Sequence, residues 1–281
     1  MNEQSASSIP PHGYVLGHSQ REIARLKAQA RLIDPITKRF FREAGIEEGM
    51  RVLDVGSGAG DVALLAAELV GASGAVVGVD RVSLAVEEAR KRATALSLKN
   101  VTFCLGDPAD LVFSRPFDAV VGRYVLQFQQ DPAAMLRQLA TQVRPGGVVV
   151  FHELDWGGVG SFPPVPTFDR VCQWGAQTLR LHGTETRMGA KLYRTFVEAG
   201  LSPPGLSLEA LLGGGPNSLD VLTLVAGIIE TLLPEMERLR VATAADVEIA
   251  TLLERMRAEV EQSRSIVIGH YQVAAWSRVP L

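Results

Sequence analysis

Between Arg51 and His152 the chain alternates short apolar runs with helix-length amphipathic stretches. The runs are Arg51–Val55, Ala75–Val79, Val101–Leu105, Phe117–Val121 and Val148–His152. Helical patterns lie between them at Asp61–Val70, Ser83–Leu96 and Pro132–Val143. Strands separated by helices need crossover connections, which are right-handed and imply parallel pairing. Runs that are apolar throughout, rather than at every second residue, fit strands covered on both faces. The pattern therefore predicts an α/β fold with an open, doubly wound, mostly parallel sheet.

The flanks follow other rhythms. Residues 1–13 hold little apolar material and read as a loose tail. From His18, Ile23, Leu26, Ala30 and Ile33 form a helical stripe. Asp34-Pro35 predicts a break, with Asp34 capping a second helix over Ile36–Ala44 that Gly45 stops. Beyond Asp155, Ser161–Pro166 reads as a loop, Thr167–His182 and Lys191–Ala199 as helices, and Leu206–Leu212 as a strand. Ser218–Leu233 and Ala244–Ser263 read as helices split near Pro234, and Ser265–Trp276 as a closing strand. The expected organisation is a helical cap over residues 1–45, an α/β core over 46–155, and the rest of the sheet with helical lid insertions over 156–281.

Composition narrows the function classes. The 28 Lys and Arg against 31 Asp and Glu leave a net charge of −3, which argues against a dedicated nucleic-acid binder. No uncharged apolar run reaches the roughly 20 residues of a membrane span. The start, Met1–Ser8, is polar and shows no signal peptide, so a cytoplasmic place is expected. Cys104 and Cys172 can form neither a disulfide framework nor a thiolate zinc site, and both read as small buried apolar residues. No metal is expected.

The chemistry concentrates in Val52-Leu53-Asp54-Val55-Gly56-Ser57-Gly58-Ala59-Gly60, between the first strand and its helix. Glycines there allow a tight turn and let a ligand lie against the backbone. The following helix offers free N–H groups and a partial positive charge to a phosphate or a carboxylate. Asp80 ends the second strand, where an acid can accept both hydrogen bonds of a ribose diol. Gly106-Asp107 ends the third strand, where a carboxylate can accept from an adenine amino group, and Arg123 follows the fourth. Their common place at the carboxyl ends of successive strands is where open α/β sheets bind ligands.

Taken together, these motifs resemble those of class I S-adenosylmethionine-dependent methyltransferases, in particular the small-molecule branch that includes ubiquinone and menaquinone biosynthesis enzymes. Asp54, Gly56, Gly58 and Gly60 match that family's loop. Gly78-Val79-Asp80 resembles its ribose motif, Gly106-Asp107 its adenine motif, Phe117–Val121 its fourth-strand motif, and Arg144-Pro145-Gly146-Gly147 the turn before strand five. The resemblance implies a seven-stranded sheet whose last strand, Ser265–Trp276, runs antiparallel. It implies S-adenosyl-L-methionine as cofactor and a small-molecule methyl acceptor. Its methionine end would lie on Gly56, Ser57, Gly58 and Gly60, with Asp54 orienting the loop or the amino group. The ribose would lie on Asp80 and the adenine on Asp107, flanked by Arg81 and Pro108. Arg123 would touch cofactor or acceptor, and Tyr14 would pack on the cofactor.

Transfer from a sulfonium is an in-line displacement that asks mainly for alignment of the two reactants. Where the acceptor needs a base, His152 is the candidate; its alternative is a ring satisfied within the sheet. Glu153, Asp155, Tyr124 and Gln127 end or follow the same strands. Phe162, Phe168, Trp174 and Leu179 would line an acceptor cavity or form the lid's own core. The apolar helix at Leu219–Leu233 could support a homodimer or be buried. Two rival functions are a silent cofactor-binding module and a nicotinamide oxidoreductase; the latter's G-x-G-x-x-G spacing is missed because Gly60 comes one residue early.

Overall fold

A computed structural model describes residues 20–108 and 111–280, with side chains from residue 30. The expected tail and Tyr14 lie outside the described residues. Among the described residues eight strands form one sheet: β1 (Arg51–Val55), β2 (Ala75–Asp80), β3 (Val101–Leu105), β4 (Phe117–Arg123), β5 (Val143–Asp155), β6 (Gly160–Phe162), β7 (Gly205–Gly214) and β8 (Ile266–Arg278). Their order is β3-β2-β1-β4-β5-β8, with β7 on the far side of β8. The first five pair in parallel, and β8 runs antiparallel to β5 and β7. The count exceeds the expected seven by one. The extra strand, β6, is three residues long and pairs with β8 just beyond the end of β5, overlapping the start of the segment read as a loop.

Helices are α1 (Gln20–Glu43), α2 (Asp61–Val70), α3 (Ser83–Ala95), α4 (Pro132–Ala140), α5 (Pro166–Leu181), α6 (Met188–Glu198), α7 (Leu219–Arg238), α8 (Ala244–Val247) and α9 (Ile249–Ser263). One face of the sheet packs on α2, α3 and the end of α1, through residues such as Phe41, Ala66, Ala89, Val121 and Val150. The other face packs on α4 and α6, through Leu53, Val120, Leu136, Phe151 and Leu192. A third apolar cluster joins α5, α7 and α9 around Phe168, Leu222, Ile229 and Met256. That cluster lies within the segment expected to hold the lid insertions. Among the described residues no helix is long and apolar enough to cross a membrane.

One expected break, at Asp34-Pro35, is absent, and the split expected near Pro234 falls later, between Arg238 and Ala244. The helix α1 is continuous over 24 residues and runs through Pro35. Asp34 does not cap it, because its carboxylate accepts from Arg123 Nη1 at 2.7 Å. The Thr37 hydroxyl donates to the Ile33 carbonyl at 3.1 Å, adding a bond within the turn that proline weakens. Pro234 likewise lies inside α7. Tertiary packing overrides the proline in both helices: Ile33 and Ile36 flank Pro35, and Leu232 and Met236 flank Pro234, all of them buried. Val221, Leu222, Val225, Ile229, Leu232 and Met236 of α7 are buried in this third cluster. Phe168, Trp174 and Leu179 belong to this third cluster, whereas Phe162 is 74% exposed. Cys172 is buried there, and Cys104 is half-buried at the end of β3.

Candidate functional site

The glycine loop leaves β1 and turns into α2 through three glycines in left-handed conformations. Gly60 caps α2 at φ 90°, and a Cβ there would meet the Phe103 ring at 3.0 Å and Ala89 at 3.1 Å. Gly58, at φ 52°, is different: a Cβ there would meet nothing within 4 Å. The loop is tied down from three sides. The Ser57 amide donates to Val79 O at 2.9 Å, Gly60 N to Ser57 O at 2.8 Å, and Arg92 Nη1 to Ala59 O at 2.7 Å. Asp80 closes the fourth side, its Oδ2 accepting from the Gly58 amide at 2.8 Å and its Oδ1 from Val82 N at 2.9 Å. What remains is a shelf of backbone beside a helix N-terminus, open above Gly58.

Beneath that shelf lies an unmet electrostatic demand. Asp54 is fully buried, and apart from a weak approach of the Ala63 amide its carboxylate oxygens, like the Ser57 hydroxyl, have no well-formed hydrogen bond among the described residues. Burial raises the Asp54 pKa well above the ordinary carboxylate range, against the pull of Arg123. Buried carboxylates are normally hydrogen-bonded, so an unmatched one marks a place where a donor or a cation fits. Along the rim, Asp107 forms an ion pair with the exposed Arg81, and Pro108 is buried beside it.

Arg123 and His152 stand elsewhere. They sit opposite each other in the β4–β5 register, at the strand tips under α1. Arg123 Nη1 reaches Asp34 at 2.7 Å and the Thr37 hydroxyl at 3.0 Å, so it braces α1 against β4. The His152 ring is fully buried, with Nδ1 3.1 Å from Thr37 Oγ1 and Nε2 2.8 Å from Gln272 Oε1. Desolvation, with Arg123 nearby, lowers its pKa to about 3. Phe40 and Tyr124 meet its ring edge-on at 5.0 and 5.3 Å. In this arrangement both ring nitrogens of His152 lie within hydrogen-bond reach of side chains, Thr37 on α1 and Gln272 on β8, rather than of the backbone partners expected for a ring satisfied within the sheet.

Its neighbour points the opposite way, as strand alternation requires. Glu153 is buried and accepts from the amides of Val125 at 2.9 Å, Leu126 at 2.8 Å and Gln127 at 3.4 Å. Desolvation outweighs these bonds and raises its pKa to about 7. Asp155 accepts from Gly157 N at 2.8 Å and from Ala190 N at 2.9 Å, and pairs with Arg187 Nε at 2.8 Å. These two carboxylates hold the segment after β4 and the start of α6. Sequence reasoning missed the parts played by Asp34, Thr37 and Gln272. Asp34 looked like a cap, and Gln272 gave one available signal, a polar residue within an otherwise apolar closing strand.

Comparison with known proteins agrees with this geometry. A family model described as a methyltransferase domain matches residues 46–200. The chain is 38% identical over 133 residues to an aklanonic acid methyltransferase of Streptomyces sp. (strain C5), covering 47% of this chain and 60% of the relative. It is 33% identical over 135 residues to a demethylmenaquinone methyltransferase of Staphylococcus aureus, covering 48% of this chain and 53% of the relative. The chain thus spans little more than half the length of these relatives. In fold it resembles a geranyl diphosphate methyltransferase solved with its cofactor, at a TM-score of 0.56 and 17% identity over 94% of each chain.

Proposed function

The chain belongs to the methyltransferase-domain family, and from that premise we propose that it transfers a methyl group from S-adenosyl-L-methionine to a small organic molecule. The observation that carries this reading is the buried, unmatched Asp54 carboxylate beneath an open glycine shelf. A carboxylate with unmet oxygens suits the ammonium of an amino acid, reached directly or through water. The shelf's amides and the α2 dipole suit that amino acid's carboxylate.

The residues divide the work as follows. Gly56, Ser57, Gly58 and Gly60 hold the amino-acid end. Asp80, partly exposed at the tip of β2, takes the ribose hydroxyls. Asp107, Arg81 and Pro108 border the adenine, and Tyr14 is assigned to the cofactor's cover. When bound, the sulfonium supplies a methyl group that is already activated. The protein then has to orient the acceptor and exclude water, a task worth several orders of magnitude in rate. Arg123, Thr37, His152 and Gln272 serve it indirectly, by fixing α1 over the tips of β4, β5 and β8. We assign His152 this positioning role rather than proton abstraction, because both ring nitrogens are engaged.

Calorimetry with S-adenosylhomocysteine tests the cofactor claim, and transfer of labelled methyl to a metabolite extract tests catalysis. Preference for NADH in the same titration would overturn the reading in favour of an oxidoreductase. Cofactor binding without transfer across broad extracts would leave a silent binding module.

A further inference from the structure

The chain leaves β4 through a strained residue. Tyr124 holds a left-handed backbone at φ 59°, which bulky residues rarely adopt, and its amide donates to His152 O at 2.9 Å. Strain of this kind persists where the surroundings over-determine the conformation. Here the next three amides, of Val125, Leu126 and Gln127, converge on the Glu153 carboxylate. The Gln127 carbonyl accepts from the Glu185 amide at 2.9 Å, which ties down the short helical turn Leu126–Phe128 from another side.

This pinned segment abuts the glycine loop. A Cβ on Gly56 would come within 2.9 Å of Val125 Cγ2, so the valine occupies the space where a side chain at position 56 would stand. Glycine is therefore required there twice over, by a φ of 65° and by Val125. Val125 is 9% exposed and shares its apolar cluster with Leu53 and Val55 of β1 and Val79 of β2, the strands that carry the shelf. Two links thus run from β5 to the shelf: the Glu153 carboxylate to three amides, and Val125 to Gly56.

An acid that only satisfied buried amides would show itself in stability alone. The contact with Gly56 adds a second consequence. Amides that lose their acceptor in the interior are costly, and the segment carrying them shifts to find new partners. A shift of Val125 moves the support behind the first glycine, and a binding site tolerates displacements of only about 0.5 Å. Burial raises the Glu153 pKa to about 7, so at pH 6 glutamine copies its mostly uncharged form. A glutamine carbonyl oxygen can still accept from Val125 and Leu126, which share Oε1 in the native chain.

Resting on the methyl-transfer reading, we propose that Glu153 is a positioning residue for the cofactor: it sets the segment after β4 so that Val125 backs Gly56 and keeps the glycine shelf in its binding shape. The probe is S-adenosylhomocysteine, titrated by calorimetry at pH 6 into the full chain, with circular dichroism reporting that each variant is folded. Glu153→Met, which keeps the volume and removes the acceptors, is expected to lose at least tenfold in affinity, while Glu153→Gln stays within about threefold of wild type. Val125→Ala should also weaken binding, and its loss should combine with that of Glu153→Met to less than their product, because both changes break one chain of contacts. Wild-type affinity in folded Glu153→Met overturns the proposal. So does a loss in Glu153→Gln as large as that in Glu153→Met, or a full product in the double variant. If Glu153→Met does not fold, Val125→Ala carries the test, and wild-type affinity there overturns the proposal. Failure of the wild type to bind S-adenosylhomocysteine is read separately and strikes the methyl-transfer reading instead.

Discussion

The Asp80 carboxylate accepts from the Gly58 amide at 2.8 Å, so the acid assigned to the ribose also holds the loop assigned to the amino acid. Replacing it should act twice, through the ligand and through the loop. Asp80→Ala is expected to lower affinity for S-adenosylhomocysteine by roughly 10–100-fold, since each hydrogen bond to a charged acceptor is worth about 1.5–3 kcal/mol. Calorimetry reads this directly, and unchanged affinity would remove the assignment.

Gly58 and Gly60 should separate binding from stability. Gly60→Ala forces a Cβ at φ 90° against Phe103 and Ala89, and should destabilise the fold by about 1–3 kcal/mol in urea. Gly58→Ala meets nothing within 4 Å, so beyond about 1 kcal/mol of left-handed strain its effect should fall on cofactor affinity.

Arg123 is nearly buried, its side chain 8% exposed, and it pairs with an Asp34 that is 34% exposed. Arg123→Met strands that carboxylate and removes the brace on α1. Breaking a buried pair costs about 3–5 kcal/mol, and the exposure of Asp34 reduces this to about 2–3 kcal/mol. Urea unfolding should show the loss, and Asp34→Asn in the same background should recover part of it.

Glu153 gives a pH test with a definite sign. Its pKa is raised from 4.5 to about 7 in the folded chain, so the native state holds a proton that the unfolded state has released. Its contribution is fully present below pH 4.5 and is lost as pH rises through 7. Relative to Glu153→Gln, the wild type should lose about 3 kcal/mol across that window, at about 1.4 kcal/mol per pH unit. A constant difference between the two proteins from pH 4.5 to 8 would refute it.

For His152 the test is catalytic. A base contributes roughly 10²–10⁴-fold, so His152→Gln should lose that much activity only if the ring abstracts a proton. The positioning role predicts a smaller loss and an imidazole that stays neutral by NMR from pH 8 down to 5, consistent with a pKa of about 3.

Much of this architecture can be read without coordinates. The bounds of α2 and β3 coincide with their patterns, because Asp61–Val70 follows a glycine turn and Val101–Leu105 is a short apolar run interrupted only by Thr102. The glycine shelf is legible for the same reason, since its residues are contiguous and each has a local conformational need. The network under α1 is not. Asp34, Thr37, Arg123, His152 and Gln272 come from four elements, and only tertiary contact tells a bracing acid from a helix cap.

The position of β8 governs how the sheet can be completed. It is the last strand in chain order, yet it lies between β5 and β7 and bonds to both. Until residues 266–278 arrive, β5 keeps a bare edge and β7 has no neighbour to join. β8 therefore joins the sheet as a wedge between two strands that precede it in the chain, rather than as an added border.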